Sequence, residues 1–406
     1  MKPAANFLFF AAVKVLLLHQ HFNTPYEGGA VRSYYLAKSL VDHGIETIVI
    51  TAAHYDRIYR SETIDGIEVH YLPIPYDNSF GFYKRSVSFI QFVWQAPRLA
   101  KKLQGISICY AISVPLTVGI AARRISARNK IPFIFEVGDL WPEAAIQMGF
   151  IKSRWFQNAL YKLEKKIYVA AKSIVVLSTA IESEVRRKIP EKTIHCIPNM
   201  SDTEFFKAEV KDTALIQKFK TEGKFVVSYI GAIGLANGLE HMVLCAKASQ
   251  EAGLSIHFLL CGEGGLLDDI KNKVRDLDLK NFSILPFQNR QGVKEILNVT
   301  DATFVSYKPV PVLETGSPNK YFDGLAAGKL IIVNFGGWIR EEIERNGCGV
   351  FVRPDSPADF VTQITPFLKD ETLLRQHQTE ARRLAEKKYS RQKLSKEFAE
   401  IFLTKP

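Results

Sequence analysis

Short apolar runs of β type recur along this 406-residue chain, and nearly every one is followed by a stretch with helical character. The first series lies at 13–18, 46–51, 106–112, 133–136, 174–177 and 194–198, and the second at 225–230, 256–260, 282–285, 302–306 and 330–334. Strands joined through helices pair in parallel and are covered on both faces, so each series predicts a parallel, doubly wound α/β sheet. The second half repeats the architecture of the first without repeating its sequence. Between them, 199–206 reads as an inter-domain connection, and the length exceeds what one hydrophobic core usually serves. Two Rossmann-like domains follow, one over 1–203 and one over 204–385.

Five cysteines, odd in number and scattered, fit neither a disulfide framework nor a zinc site and read as reduced, mostly buried thiols of a cytosolic protein. Residues 6–13 are apolar behind Lys2, but Lys14 interrupts them and no small-residue cleavage site follows, so they read as a tail ahead of the first strand. A net charge of +11 favours polyanionic partners, yet no nucleic-acid motif accompanies it. Within 84–103, Phe89, Ile90, Phe92, Val93, Trp94 and Leu99 are bracketed by Lys84, Arg85, Arg98, Lys101 and Lys102, with Pro97 expected to kink the helix. Two readings stand for it: an interfacial helix on an anionic membrane surface, or a core helix with solvated ends.

The most chemically loaded segment is 314–329. Ser317 suits an N-cap and Pro318 the first helical position, so free backbone N–H groups are expected to point out of the helix start. Lys320 in the first turn opposes the helix dipole, and a bound anion would resolve that conflict. The alternative is a plain capped helix that ends at Gly328 and feeds a buried strand. Gly28 and Gly29 allow close backbone approach to a ligand, and Arg32 follows them in the first helical turn. Gly231, Gly234 and Gly238 lie between a strand and a helix with the look of a phosphate cradle, but their spacing does not suit a nicotinamide cofactor. Gly262-Glu263-Gly264 and Pro286-Phe287 follow the next two strands, as a base pocket or as ordinary turns.

In the first half, Pro142 marks a helix start, with Asp139 in the loop before it and Glu143 in its first turn. Helix capping and dipole matching account for both acids without function; placement at a strand's carboxyl end makes them acid/base candidates. His19 and His21 point at the same edge. No metal-ligand cluster or Asp-x-Asp pair is evident.

Ser317-Pro-Asn319-Lys320-Tyr-Phe-Asp323, with Gly28-Gly29-x-x-Arg32 and Asp139-Leu-Trp-Pro-Glu143, resembles the retaining glycosyltransferases of family GT4. The resemblance extends in particular to the subgroup that builds bacterial O-antigen, capsule and colanic-acid repeats, which includes the N-acetyl-fucosaminyl transferases, and spans nearly the whole chain from Val13. It implies the GT-B fold, two facing Rossmann-like domains whose last helix, here 386–406, packs back on the first. It also implies donor binding by Gly29, Arg32, Gly231, Gly234, Gly262, Glu263, Phe287, Glu314, Ser317, Asn319 and Asp323, acceptor contact by Gly28 and His21, and catalysis by Asp139, Glu143 and Lys320. Most of the family pairs two glutamates eight residues apart. Asp323 matches the second, whereas Thr315 stands eight residues earlier and Glu314 is one place out of register.

The implied substrates are a nucleotide-sugar, most simply UDP-linked, and a lipid-linked saccharide acceptor at the cytoplasmic face of the membrane, with no metal, cofactor or nucleic acid. One departure stands out: the family's Arg and Lys in the glycine loop are replaced by uncharged residues around Ala232 and Asn237, leaving Lys320, with Lys308 or Arg290, to supply the cation. A nucleotide-sugar epimerase of the same form and a catalytically silent sugar-nucleotide-binding subunit are the competing readings.

Overall fold

The computed structural model describes residues 13–53, 58–76, 80 and 82–403. The expected tail at 1–12 lies outside them. An eight-stranded sheet is built from β1 (Lys14–Leu18), β2 (Glu46–Ala52), β3 (Arg60–Ile64), β4 (Ile67–Leu72), β5 (Ile108–Ile112), β6 (Phe133–Val137), β7 (Ser173–Val176) and β8 (Ile194–Cys196), in the order β3-β4-β2-β1-β5-β6-β7-β8. Its strands pair in parallel except for β3 against β4. A six-stranded parallel sheet follows, from β9 (Phe225–Ile230), β10 (Ile256–Cys261), β11 (Phe282–Leu285), β12 (Ala302–Val305), β13 (Leu330–Val333) and β14 (Gly349–Phe351), in the order β11-β10-β9-β12-β13-β14. The central strands are buried on both faces, as helix-covered parallel strands must be.

Three strands escaped the sequence reading. β3 and β4 form a hairpin whose turn residues Asp65 and Gly66 have φ of 49° and 84°, the conformation an Asp-Gly pair supplies. That dipeptide was a usable signal. β14 has only three residues and no apolar run of its own; its place is set by pairing with β13.

The 199–206 connection is tied into both halves. Ser201 N–H donates to the Tyr389 carbonyl at 2.8 Å and its hydroxyl to the Phe322 carbonyl at 2.8 Å. The closing helix, Arg391–Leu403, then packs on the Arg32–Asp42 helix of the first half. Phe398 and Phe402 meet Tyr110 edge to face with ring centres 4.9 and 5.9 Å away, and Ser39 Oγ donates to the Ser395 carbonyl at 2.6 Å. The helix around Pro97 runs from Phe82 to Ala100, with Phe92 and Val93 buried and Trp94 exposed. All five cysteines are free, four of them buried.

Candidate active site

The loops at the carboxyl ends of the two sheets meet in a cleft, where open α/β sheets present their ligand sites. Gly28, φ +81°, stands at the contact: a Cβ there would come within 3.4 Å of the Phe287 ring and of the Asn289 backbone across the cleft. One cavity of about 90 Å3 is bordered by Gly28, Gly29 and Arg32 on one side and by Arg290, Asn319 and Asp323 on the other. A second, about 370 Å3 and mostly apolar, lies between Asp139, Trp141 and Phe150 of the first half and Gly234, Asn237 and Tyr307 of the second.

The helix carrying Lys320 is Asn319–Ala326, with Pro318 as the capping residue and no side-chain cap. Ser317 is therefore not the N-cap. It is buried one residue further out, where its carbonyl accepts from Asn199 Nδ2 at 2.5 Å, pinning the helix start to the inter-domain connection. Lys320 runs back from the first turn between the rings of Tyr229 and Tyr307, 4.8 and 5.8 Å from its ammonium. Its Cε lies 3.1 Å from where a Cβ on Gly231 would stand, so the absence of a side chain at Gly231 is what admits it. The ammonium thus reaches the uncharged glycine loop from outside. Burial pushes its pKa down to about 8, partly opposed by Asp323, and no carboxylate among the described residues is within ion-pair distance. Asp323, one turn on, is pushed up to about 7 by burial, with Arg290 and Lys320 pulling the other way and Asp202 adding to the rise.

Several site expectations are corrected by this geometry. Arg32 borders the smaller cavity but is largely committed to protein partners: Nε and Nη2 bind the buried Glu136 carboxylate at 3.0 Å each, and Nη1 and Nη2 donate to the Pro198 and Ile197 carbonyls at 2.6 and 2.7 Å. All but one of its N–H groups are engaged, so it fastens the first sheet to the inter-domain connection. Glu143 opens the Glu143–Gln147 helix, but its carboxylate accepts from Gln147 Nε2 at 2.6 Å and from the Tyr161 hydroxyl, turned toward the following helix. Gly262 and Gly264 serve loop packing. A Cβ would collide with the Gly231 carbonyl at 1.9 Å and the Ile233 carbonyl at 2.3 Å, because the 231–234 and 262–266 loops continue the β9–β10 ladder. Glu263 is exposed between them, with its carbonyl taken by the Ile233 N–H at 2.8 Å.

Arg290 is also committed, to Asp202 and to the Tyr35 hydroxyl at 2.6 Å, and Lys308 packs its backbone against Gly238. Glu314 lies with its carboxylate against Gly336, at the start of the Trp338–Asn346 helix, where the helix dipole favours negative charge. His21 packs its ring on Tyr76 at 4.4 Å.

Asp139 is different. The Glu143–Gln147 helix has Pro142 as its capping residue and no side-chain cap, so Asp139 is not a cap. Asp139 lines the larger cleft, whose surrounding walls raise its pKa by desolvation. Tyr307 stands close enough for Asp139 to add to the rise in its phenol pKa, which burial dominates. Tyr229 and Tyr307, the walls around Lys320, were missed by sequence reading, although Tyr307 lies two residues past β12 and a strand's carboxyl end was the available signal. Val114, at φ +81°, borders the same cleft and was also missed; a β-branched residue in that region is held by its surroundings.

Residues 27–200 match the glycosyl transferase 4-like domain, and residues 210–387 match the glycosyl transferases group 1 family. The chain is built of GT4-type glycosyltransferase domains. Whole-chain similarity agrees on the fold. The sucrose-phosphate synthase of Thermosynechococcus elongatus superposes with a TM-score of 0.79 at 15% identity, covering 97% of this chain and 98% of that one. The structure of Anabaena Alr3699/HepE in complex with UDP-glucose gives a TM-score of 0.68 at 15% identity over 96% and 99%. Both place this chain in the GT-B architecture. Sequence relatives are distant: a protein named probable glycosyltransferase WbjE from Pseudomonas aeruginosa is 23% identical over 55% of this chain and 57% of its own. A glycosyl transferase assigned to colanic acid biosynthesis, WcaI of Escherichia coli K12, is 23% identical over 53% and 52%. The chain thus spans little more than half the length of these curated relatives. Among the described residues, no helix is long and apolar enough to cross a membrane, and no group of three or more His, Cys, Asp or Glu side chains is placed to hold a metal ion.

Proposed function

We propose that this glycosyltransferase moves a sugar, an N-acetylated or deoxy hexose, from a UDP-linked donor to a lipid-diphosphate-linked saccharide with retention of configuration. The setting is the assembly of bacterial surface polysaccharide at the cytoplasmic face of the membrane. The observation that carries the reading is the ammonium of Lys320, held beside Gly231 in the cleft without a carboxylate partner. A diphosphate seated there removes the cost of that isolated charge, and the N–H groups at the start of the Asn319–Ala326 helix add their dipole. In this reading Asp323 takes the ribose hydroxyls, Asn319 adds a polar contact beside it, and Phe287 faces the base. The nearby Glu314 lies toward the sugar.

The acceptor hydroxyl attacks the anomeric carbon on the face the diphosphate leaves. The carbon–phosphate-oxygen bond breaks, and the acceptor proton ends on the departing phosphate oxygen, passed directly while Asp139 orients the hydroxyl or relayed through the Asp139 carboxylate. No metal or cofactor has a part. The putative assignment of WcaI to colanic acid biosynthesis and the UDP-glucose bound in HepE support the class of product and donor. Incubation of purified protein with a panel of nucleotide-sugars, with and without lipid acceptor, followed by product analysis, tests the reading. Transfer that needs acceptor sustains it, donor isomerisation without acceptor assigns an epimerase, and turnover of neither assigns a binding subunit.

UDP affinity is expected to depend on pH in a definite direction. A bound diphosphate favours charged Lys320, so binding at a pH above about 8 takes up a proton and affinity falls by up to about tenfold per pH unit. Below about 7 Asp323 becomes protonated and its ribose contact weakens, leaving the optimum between the two. Titration calorimetry in buffers of different ionisation enthalpy reads the proton uptake directly; its absence at pH 9 would separate Lys320 from the phosphates. Asp323→Ala is expected to weaken donor binding by about tenfold, the size of one or two lost hydrogen bonds, with little change in Tm.

A further inference from the structure

One helical layer of the first half is strongly one-signed in charge. The helices Phe82–Ala100, Thr117–Asn129 and Arg154–Ala170 pack in sequence on the same face of the first sheet, joined by Phe92, Ala121 and Ile167 in one core. They carry three, three and four basic residues, and their single acid, Glu164, is buried against Lys188 at 2.7 Å. The neighbouring Thr179–Lys188 helix, by contrast, pairs its own charges, with Arg186 on Glu182 and Arg187 on Glu184.

Large apolar side chains stand in the same layer without burial. Tyr83, Ile90 and Trp94 recur at spacings of seven and four, which puts them on one helix face, and Arg124 stacks on Trp94 at 4.7 Å. Trp155 is 79% exposed at the start of its helix, beside exposed Phe156, Arg154 and Lys152. Phe150, just before them, borders the apolar cavity that also holds Asp139. Aromatic side chains among an excess of cations suit a bilayer interface, where rings sit at headgroup depth and the cations meet anionic lipid.

We infer that this three-helix layer is the face that docks on an anionic bilayer, and that the 150–156 rim holds the acceptor's lipid at the bilayer surface while its saccharide end enters the cleft under Asp139. The inference rests on the lipid-linked acceptor proposed above. The basic layer supplies the attraction, the exposed rings set the depth, and the apolar cavity continues from the rim to the reacting centre. Charge complementarity thus fixes the occupant as membrane.

Full-length protein is sedimented with vesicles of phosphatidylcholine alone or mixed with phosphatidylglycerol, and transfer is measured to acceptor embedded in those vesicles and to a water-soluble short-chain acceptor. Wild type is expected on the mixed vesicles only, released by high salt. Lys165→Gln with Lys166→Gln, and separately Arg98→Gln with Lys101→Gln and Lys102→Gln, each weaken vesicle binding by about tenfold or more. Trp155→Ser with Phe156→Ser lowers transfer to the embedded acceptor by about tenfold, one buried aromatic's worth, and leaves the soluble acceptor unaffected. Equal binding to both vesicle types, charge variants that bind like wild type, preference for RNA over vesicles, or a rim variant that treats both acceptors alike each overturns the inference. Charge-dependent vesicle binding by a protein that transfers to neither acceptor sinks the proposed function and the delivery route while sustaining the docking face.

Discussion

Lys320→Ala is expected to lower sugar transfer by about a hundredfold or more, because one preorganised donor removed from a site of developing negative charge typically costs that much. The structure sharpens the expectation in two ways. The glycine loop has no cation of its own to substitute, since Ala232 and Asn237 stand there, and Arg290 is held by Asp202 and Tyr35. The loss therefore falls on the chemical step as well as on donor affinity. Stability moves the other way or stays level, because an isolated half-buried ammonium is removed from between Tyr229 and Tyr307. Steady-state kinetics with a melting curve checks both parts. Wild-type turnover in the variant ends the assignment of Lys320 to the leaving group, and Lys320→Arg tests whether charge alone suffices in a space shaped by Gly231.

Asp139→Asn is expected to cost about a hundred- to ten-thousandfold in rate, since an amide cannot take a proton and a positioned acid or base typically contributes that much. Its Tm and UDP binding should remain close to wild type. A structural role for Asp139 is already weak, as its carboxylate caps no helix and makes no hydrogen bond to another described side chain. A small rate effect would thus leave the acceptor chemistry without its leading candidate. Glu143 is a poor successor while its carboxylate is held by Gln147 and Tyr161, so the next substitution to make would be at His21.

The two corrections at Arg32 and Ser317 share a cause. In sequence, a Gly-Gly-x-x-Arg turn and a Ser-Pro helix start both look aimed at a ligand. In the fold, both also lie at the junction between the halves, and the partners that claim them, Glu136, the Ile197 and Pro198 carbonyls and Asn199, come from 104 to 166 residues away for Arg32 and 118 for Ser317. Nothing local in the chain announces a buried carboxylate on β6 at the foot of a helix that starts at Arg32. The same holds for Gly262, whose missing side chain serves the carbonyl of Gly231 on the neighbouring loop.

By itself the sequence determined the eleven main parallel strands and the helices between them, because apolar periodicity and chain connectivity leave parallel doubly wound sheets few alternatives, while the meeting of the loop-bearing ends and the return of the last helix were implied by the family resemblance. It also placed Lys320, Asp323 and Asp139 at element ends, where side chains are free to face a ligand. Only the tertiary structure decided which polar groups remain available. Among the described residues, Lys320 and Asp139 stand in the cleft without an ion-pair partner, while Arg32, Arg290 and Glu143 are drawn into ion pairs and hydrogen bonds with residues distant in the chain or on the next helix. A buried charge must find a partner wherever the fold brings one, and that distance is three-dimensional.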